Sequence, residues 1–106
     1  MRYGSIIKIK PDKLKEYKEL HANPWPEITK VIADCNIRNY SIFHKDGLLF
    51  GYFEYAGNDF ESDMKKLAAN KFTKKWWDIC IPMLEPLKTR KEGELWAYME
   101  EIFHQD

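Results

Sequence analysis

The sequence has no excess of charge of either sign. Its 17 lysine and arginine residues balance its 17 aspartate and glutamate residues. A protein that binds nucleic acid or an anionic membrane usually carries a basic surface, so this balance argues against both partners. No apolar run approaches the roughly 20 residues that a membrane-spanning helix needs. We therefore expect a soluble, cytoplasmic protein.

Cysteine and histidine are also scarce. Cys35 and Cys80 form no CxxC pair, and two cysteines are too few for a disulfide scaffold or a thiolate metal site. We expect both thiols to be reduced and buried. His21, His44 and His104 show no HxH or HxxxH spacing, so the sequence gives no support for zinc.

The common catalytic motifs of transferases and hydrolases are missing. There is no glycine-rich phosphate loop, no nucleophile elbow and no arrangement typical of a serine or cysteine triad. Phosphoryl transfer and acyl transfer are therefore disfavoured. We expect neither a metal nor another cofactor.

The chain is, by contrast, rich in aromatic residues. They make up 15% of its 106 residues and occur in clusters, which is a first indication of a ligand cavity. A chain of this length is long enough for one hydrophobic core and too short for two, so residues 1–106 are expected to form a single domain.

The first third of the sequence predicts a strand followed by two helices. Residues 2–10 are typical of a strand that stops at Pro11, a residue suited to a first helical turn. The helix that follows places Tyr17 and His21 on its inward face, because residues four apart stack on one side. "ANPWPE" must break that helix, and Pro26 opens the second one.

The remainder predicts a hairpin, further helices and a last strand. Asp46-Gly47 fits a tight hairpin turn between two strands. Asn58 with Glu61 resembles a helix cap, and helical spacing continues until the prolines at 82 and 86. Residues 95–104, "LWAYMEEIFH", alternate as in a strand.

This order of elements predicts a ferredoxin-like α+β fold, βαββαβ, in which helices cover one face of a four-stranded antiparallel sheet. Aromatic side chains also fall on the other face. A homodimer that forms a barrel-like assembly is the simplest way to cover them.

Three aromatic residues are candidates for a binding wall. Trp76 and Trp77 are adjacent on a helix and therefore point about 100° apart, so one buried stripe does not account for both. One explanation is that one indole lies in the core and the other at an interface; the other is a platform for a sugar ring. Tyr40 shares a strand face with Ile42 and His44, either as an ordinary strand tyrosine or as part of the same wall.

Four segments together resemble the L-rhamnose mutarotases: "KPDKLKEYKELHANPWPEI", "RNYSIF", "KKWWDI" and "MEEIFH". The resemblance implies a homodimer that interconverts the α and β anomers of L-rhamnose, or a related 6-deoxy sugar, without cofactor. It implies His21 as the proton donor. It also implies that the sugar is held by Tyr17, Tyr40, Trp76 and Trp77. Water, a tyrosine or Glu101 are candidates for the base.

Two other functions fit the same fold. One is a cofactor-free monooxygenase or haem-degrading enzyme, which would need a flat aromatic pocket. The other is a non-catalytic sugar-binding or dimerisation module, which would bind L-rhamnose without accelerating anomer exchange. Pro24 stands where the mutarotases commonly keep a bulky apolar residue, so the rim of the pocket differs here.

Overall fold

The fold is built around its first strand, which pairs with strands on both of its edges. The computed structural model describes residues 1–106. The regular elements, in chain order, are β1 (Arg2–Ile9), α1 (Leu14–Ala22), α2 (Pro26–Asp34), β2 (Ile37–Lys45), β3 (Leu48–Tyr55), α3 (Phe60–Ala69), α4 (Lys71–Cys80), β4 (Leu84–Glu85) and β5 (Ala97–Met99), with one-turn 3-10 helices at Pro11–Lys13 and Ile81–Met83.

The sheet is antiparallel throughout. Its order is β2-β3-β1, and the two short strands β4 and β5 share the remaining edge of β1. Each of the two crossovers contains a pair of helices, as the helical spacing indicated. The predicted ferredoxin-like α+β fold is therefore confirmed. The sheet has five strands rather than the predicted four, because the short strand β4 was not predicted.

Prolines divide the first crossover as predicted. Pro11 begins the 3-10 turn before α1, and α1 ends at Ala22. Pro26 is the first residue of α2, where a missing N–H costs nothing because that group has no helical partner anyway. The end of α1 therefore leaves His21 in the last turn of its helix.

The hairpin between β2 and β3 also matches the prediction. Asp46 and Gly47 both have positive φ angles, 51° and 77°. These angles are those of a type I′ turn, whose twist matches that of the two strands it connects.

A β-bulge in β2 was not predicted. Arg38 pairs with Glu54 and Ser41 with Tyr52, so β2 contains one extra residue between these pairs. Asn39 takes up the extra length with a φ of 51°, a left-handed conformation that asparagine tolerates. The bulge changes the side-chain alternation, so that Tyr40 and Ile42 join Ile37 on the helix-covered face.

Two local predictions were wrong. Asp59, rather than Asn58, caps α3, and its carboxylate accepts a hydrogen bond from the N–H of Ser62 at 3.1 Å. The predicted strand over residues 95–104 is reduced to Ala97–Met99. Both errors concern the ends of elements, which depend on tertiary contacts.

The core lies between the helices and the inner face of the sheet. Its members are buried side chains from every layer: Ile7, Ile9, Tyr17, Ile28, Leu49, Trp76, Cys80, Met83 and Leu84. Cys35 and Cys80 are free and buried, as expected. None of the helices is long and apolar enough to cross a membrane.

Candidate active site

Helix α1 holds Tyr17 and His21 in contact. The two rings stack with their centroids 4.0 Å apart and their planes inclined by 25°, as expected for residues one turn apart. Nδ1 of His21 lies 2.8 Å from the backbone oxygen of Tyr17. Because a carbonyl oxygen only accepts, Nδ1 carries the proton of that bond. The neutral imidazole therefore has its free lone pair on Nε2.

Burial sets the protonation of both rings. It lowers the pKa of His21 below the usual value, and the hydrogen bond to the Tyr17 carbonyl offsets this only in part. Burial also raises the pKa of Tyr17, and the nearby Tyr40 hydroxyl adds to that rise. At neutral pH, Tyr17 is therefore a protonated phenol and His21 is mainly neutral.

Helix α4 gives the two tryptophans different environments. Trp76 is 7% exposed and packs edge-on against His21 and Trp25, with ring centroids 5.3 Å and 5.1 Å away. Trp77 is 38% exposed. Trp76 thus links the core to the histidine, while Trp77 offers an accessible indole face.

Strand β2 contributes Tyr40 from just beyond the bulge. Although 45% of this residue is exposed, burial raises the pKa of its hydroxyl to about 12, with Tyr98 and Cys80 adding to the effect. The phenol remains protonated at neutral pH and is available as a hydrogen-bond donor.

These elements enclose a cavity of about 540 Å³, within the range of small-molecule sites. Four of the five predicted residues line it: His21, Tyr40, Trp76 and Trp77. Tyr17 does not. It lines a second cavity of about 330 Å³, and His21 lines both.

Other wall residues were not predicted from the sequence. Ile28 and Ile32 of α2 form apolar wall, and Thr29, Asn39 and Thr73 add polar groups. For Thr73 a signal was present, since it precedes Trp76 and Trp77 by three and four residues on the same helix. Pro24, which the resemblance to the mutarotases associated with the pocket, also lines the cavity.

The other candidate groups lie elsewhere. Glu101, one of the candidate bases, accepts two hydrogen bonds from Arg2, at 2.9 Å and 2.7 Å, and does not line the cavity. Nε2 of His44 accepts from the N–H of Gly47, and His104 pairs with Asp106. No three histidine, cysteine or acidic side chains converge as metal ligands would.

Comparisons with known proteins point in one direction. Residues 2–105 match the sequence profile of a family described as L-rhamnose mutarotase. The chain is 31% identical to the L-rhamnose mutarotase of Oceanobacillus iheyensis over 99% of its own length and 98% of the relative's. It is 33% identical to the enzyme of that name from Phocaeicola vulgatus, over 92% and 91% of the two chains.

Solved structures agree with the fold. The crystal structure of an L-rhamnose mutarotase from Formosa agariphila superposes with a TM-score of 0.79 at 26% identity, covering 100% of this chain and 99% of the other. A polyketide cyclase from Streptomyces glaucescens, tetracenomycin F2 cyclase, superposes with a TM-score of 0.75 at 12% identity, covering 100% and 97%. The cyclase shows the fold alone. The monooxygenase and non-catalytic alternatives are not favoured by these comparisons.

Proposed function

The chain belongs to the L-rhamnose mutarotase family, a family of isomerases, and we propose that it interconverts the α and β anomers of L-rhamnose with His21 as the proton donor. The observation that carries this role is the position of His21 in the cavity wall, with Nδ1 held by the Tyr17 carbonyl and Nε2 free of any bond within the protein.

The reaction needs only proton transfer and confinement. The ring oxygen gains a proton while the anomeric hydroxyl gives its proton to water, because Glu101 lies outside the cavity and Tyr17 and Tyr40 stay protonated. The ring opens, the aldehyde rotates, and the ring oxygen adds to the other face of the carbonyl with the proton transfers reversed. His21 in its protonated form donates from Nε2 to the ring oxygen, and recovers the proton when the ring closes. Acid-base help of this kind is worth roughly 10²- to 10⁴-fold, or about 3 to 5 kcal/mol of barrier.

The aromatic side chains hold the sugar. Trp77 presents an accessible indole on which the C–H face of a pyranose rests, while Trp76 closes the wall beside His21. Tyr40, protonated at neutral pH, donates to a sugar hydroxyl. The apolar surface of Ile28 and Ile32 suits the C6 methyl group.

Tyr17 stacks on His21, and its contact with the sugar stays a prediction. Two observations support a role at this site. The stacked ring holds the plane of the imidazole. Tyr17 also lines the second cavity, and His21 lines both cavities, so Tyr17 adjoins the proposed sugar site.

The active form is a homodimer that buries the outer face of the sheet. This face carries Ile6, Phe43, Phe50, Tyr52 and Met99, and Phe43 is 63% exposed. Such an apolar surface is typical of an interface. Phe43→Glu is expected to shift the protein toward monomers in sedimentation velocity. Lys15→Gln, at an exposed position of α1 away from this face, changes the net charge by the same one unit and is the control.

We propose that the compartment is the cytoplasm. The two buried free thiols support a reducing environment. Fractionation of the native organism, with antibody detection, tests this. Recovery in the membrane or culture supernatant would contradict it.

The activity is tested by saturation-transfer NMR, which measures exchange between the two anomeric protons of L-rhamnose. The wild type should accelerate this exchange more for L-rhamnose than for L-fucose or glucose. His21→Ala should lose most of the acceleration, whereas His104→Ala, at an exposed site near the chain end, should retain it. No acceleration for any sugar would contradict the proposed activity.

A further inference from the structure

Thr73 stands out among the cavity residues because its hydroxyl has no partner. The residue is 2% exposed and lines the cavity. Its Oγ1 makes no hydrogen bond to any other group of the protein, and it is the one buried side-chain oxygen or nitrogen in the chain with that property. Buried hydroxyls are nearly always bonded, so each exception needs an explanation.

The local structure does not provide that explanation. A threonine inside a helix commonly donates to a carbonyl of the preceding turn, but Thr73 lies in the first turn of α4 and makes no such bond. Its backbone N–H is already engaged, since it donates to Oδ1 of the capping residue Asn70 at 3.3 Å. The hydroxyl therefore plays no part in capping α4, and its burial is unfavourable in the protein alone.

Two other polar wall residues, Thr29 and Asn39, differ from Thr73 in this respect. The hydroxyl of Thr29 donates to the Pro26 carbonyl at 3.0 Å, and the amide of Asn39 donates to Glu54 at 3.1 Å. Both of these groups are thus satisfied within the protein. Thr73 alone of the three keeps its full capacity for a ligand.

Its position relative to the tryptophans indicates which ligand. Thr73 lies one helical turn before Trp76 and Trp77, so its side chain shares the face of α4 that carries the indole wall. The oxygen itself is buried just beneath the cavity wall. A sugar ring that rests on an indole directs its hydroxyls outward from the edge of the stack. A hydroxyl that both donates and accepts, beside that wall, is suited to one of them.

We propose that Thr73 is a sugar-binding residue, whose Oγ1 turns into the cavity by rotation about χ1 and exchanges a hydrogen bond with a hydroxyl of the bound L-rhamnose. This inference rests on the proposed function and adds a specificity-determining contact to it. The ligand supplies the hydrogen-bond partner that the protein lacks at this position. The energetic cost of the unpaired hydroxyl in the free protein is therefore recovered on binding.

Two substitutions separate binding from folding. Thr73→Val removes the hydroxyl but keeps the branched shape, and valine has a helix propensity close to that of threonine. It should raise KM for L-rhamnose about 10-fold with little change in kcat, because a bond made equally in ground and transition states is lost. Its urea midpoint should equal or exceed that of the wild type, since no internal hydrogen bond is lost.

Thr73→Ser should show the opposite pattern. The hydroxyl is kept, so KM should stay near the wild-type value. The lost methyl group leaves a small cavity, so the urea midpoint should fall. A wild-type KM in Thr73→Val, or parallel changes of KM and stability in both variants, would assign Thr73 a structural role and overturn the proposal.

Deoxy analogues identify the sugar hydroxyl. The 2-, 3- and 4-deoxy forms of L-rhamnose should each bind the wild type more weakly, and one of them should lose no further affinity in Thr73→Val. Equal further losses of affinity for all three deoxy sugars in Thr73→Val would overturn the proposed contact. If the wild type binds L-rhamnose without accelerating exchange, the activity fails while these affinities still test Thr73. If it does not bind L-rhamnose at all, both proposals fail.

Discussion

Removal of the two indoles should have unequal effects on stability and similar effects on sugar binding. Trp76 is 7% exposed, belongs to the core, and contacts the rings of His21 and Trp25. Truncation of a buried tryptophan to alanine costs about 3 to 5 kcal/mol. Trp77 is 38% exposed and lies outside the core cluster. Its truncation should therefore cost less than about 1 kcal/mol.

These values predict a clear separation in thermal unfolding. For a domain of this size, 1 kcal/mol shifts Tm by about 4 to 8 °C. Trp76→Ala should therefore lower Tm by more than about 12 °C, and Trp77→Ala by less than about 8 °C. Sugar affinity, measured by titration at a temperature where both variants are folded, should fall in both.

The comparison has a conservative control and a clear contradiction. Trp76→Phe keeps an aromatic ring against His21, so it should recover part of the lost stability and affinity. Equal destabilisation by the two alanine variants would refute the assignment of one indole to the core. Wild-type affinity in Trp77→Ala would refute its role as a platform.

Two further predictions concern titration and helix capping. The lowered pKa of His21 means that the unfolded chain binds a proton at this residue more readily than the folded protein does. The free energy of unfolding should therefore fall as pH drops below about 6.5. In urea titrations, His21→Gln should lose less stability than the wild type between pH 7 and pH 5, and an equal loss would contradict this. The side chain of Asn70 accepts hydrogen bonds from the N–H groups of Phe72 and Thr73, at 2.8 Å and 3.3 Å, so Asn70→Ala should lower the free energy of unfolding by about 1 kcal/mol in urea titrations. Asn70→Asp should retain most of this stability. Equal losses in both variants would argue against the cap.

The sequence was sufficient to predict those turns and helix faces that depend only on residues close together in the chain. The Asp46-Gly47 turn was predictable because few other pairs adopt two successive positive φ angles. Tyr17 and His21 were predicted to share a face because helical geometry leaves no alternative at a spacing of four. Side-chain contacts within the site were therefore predictable where two of its residues lie on the same helix.

Features that depend on a partner element were not predictable in the same way. Residues 95–104 alternate along their whole length, yet a strand needs an edge to pair with. β5 pairs with Gly4–Ile6, whereas Lys8 pairs with Glu85 of β4. Only part of the edge of β1 is therefore free to pair with residues 95–104. The same register places Glu101 opposite Arg2, where β1 begins, so the residues after it run past the end of the strand.

The unpredicted site residues have the same origin. The bulge at Asn39 adds one residue to β2 and so keeps both Ile37 and Tyr40 on the inner face. No change in the residue types along β2 marks this extra residue. The wall formed by α2 follows from how that helix packs over the sheet, and its isoleucines resemble ordinary core residues. The unpaired hydroxyl of Thr73 is visible only once all of its neighbours are placed.

The central claim is that His21 donates the proton that opens the sugar ring. The most direct measurement is the rate of L-rhamnose anomer exchange, by saturation-transfer NMR, as a function of pH for the wild type and for His21→Asn. The wild-type rate should fall as pH rises through the lowered His21 pKa, measured in parallel from the imidazole resonances. The variant should bind the sugar and show no such pH dependence. A variant that keeps both the rate and the pH profile of the wild type would contradict the account.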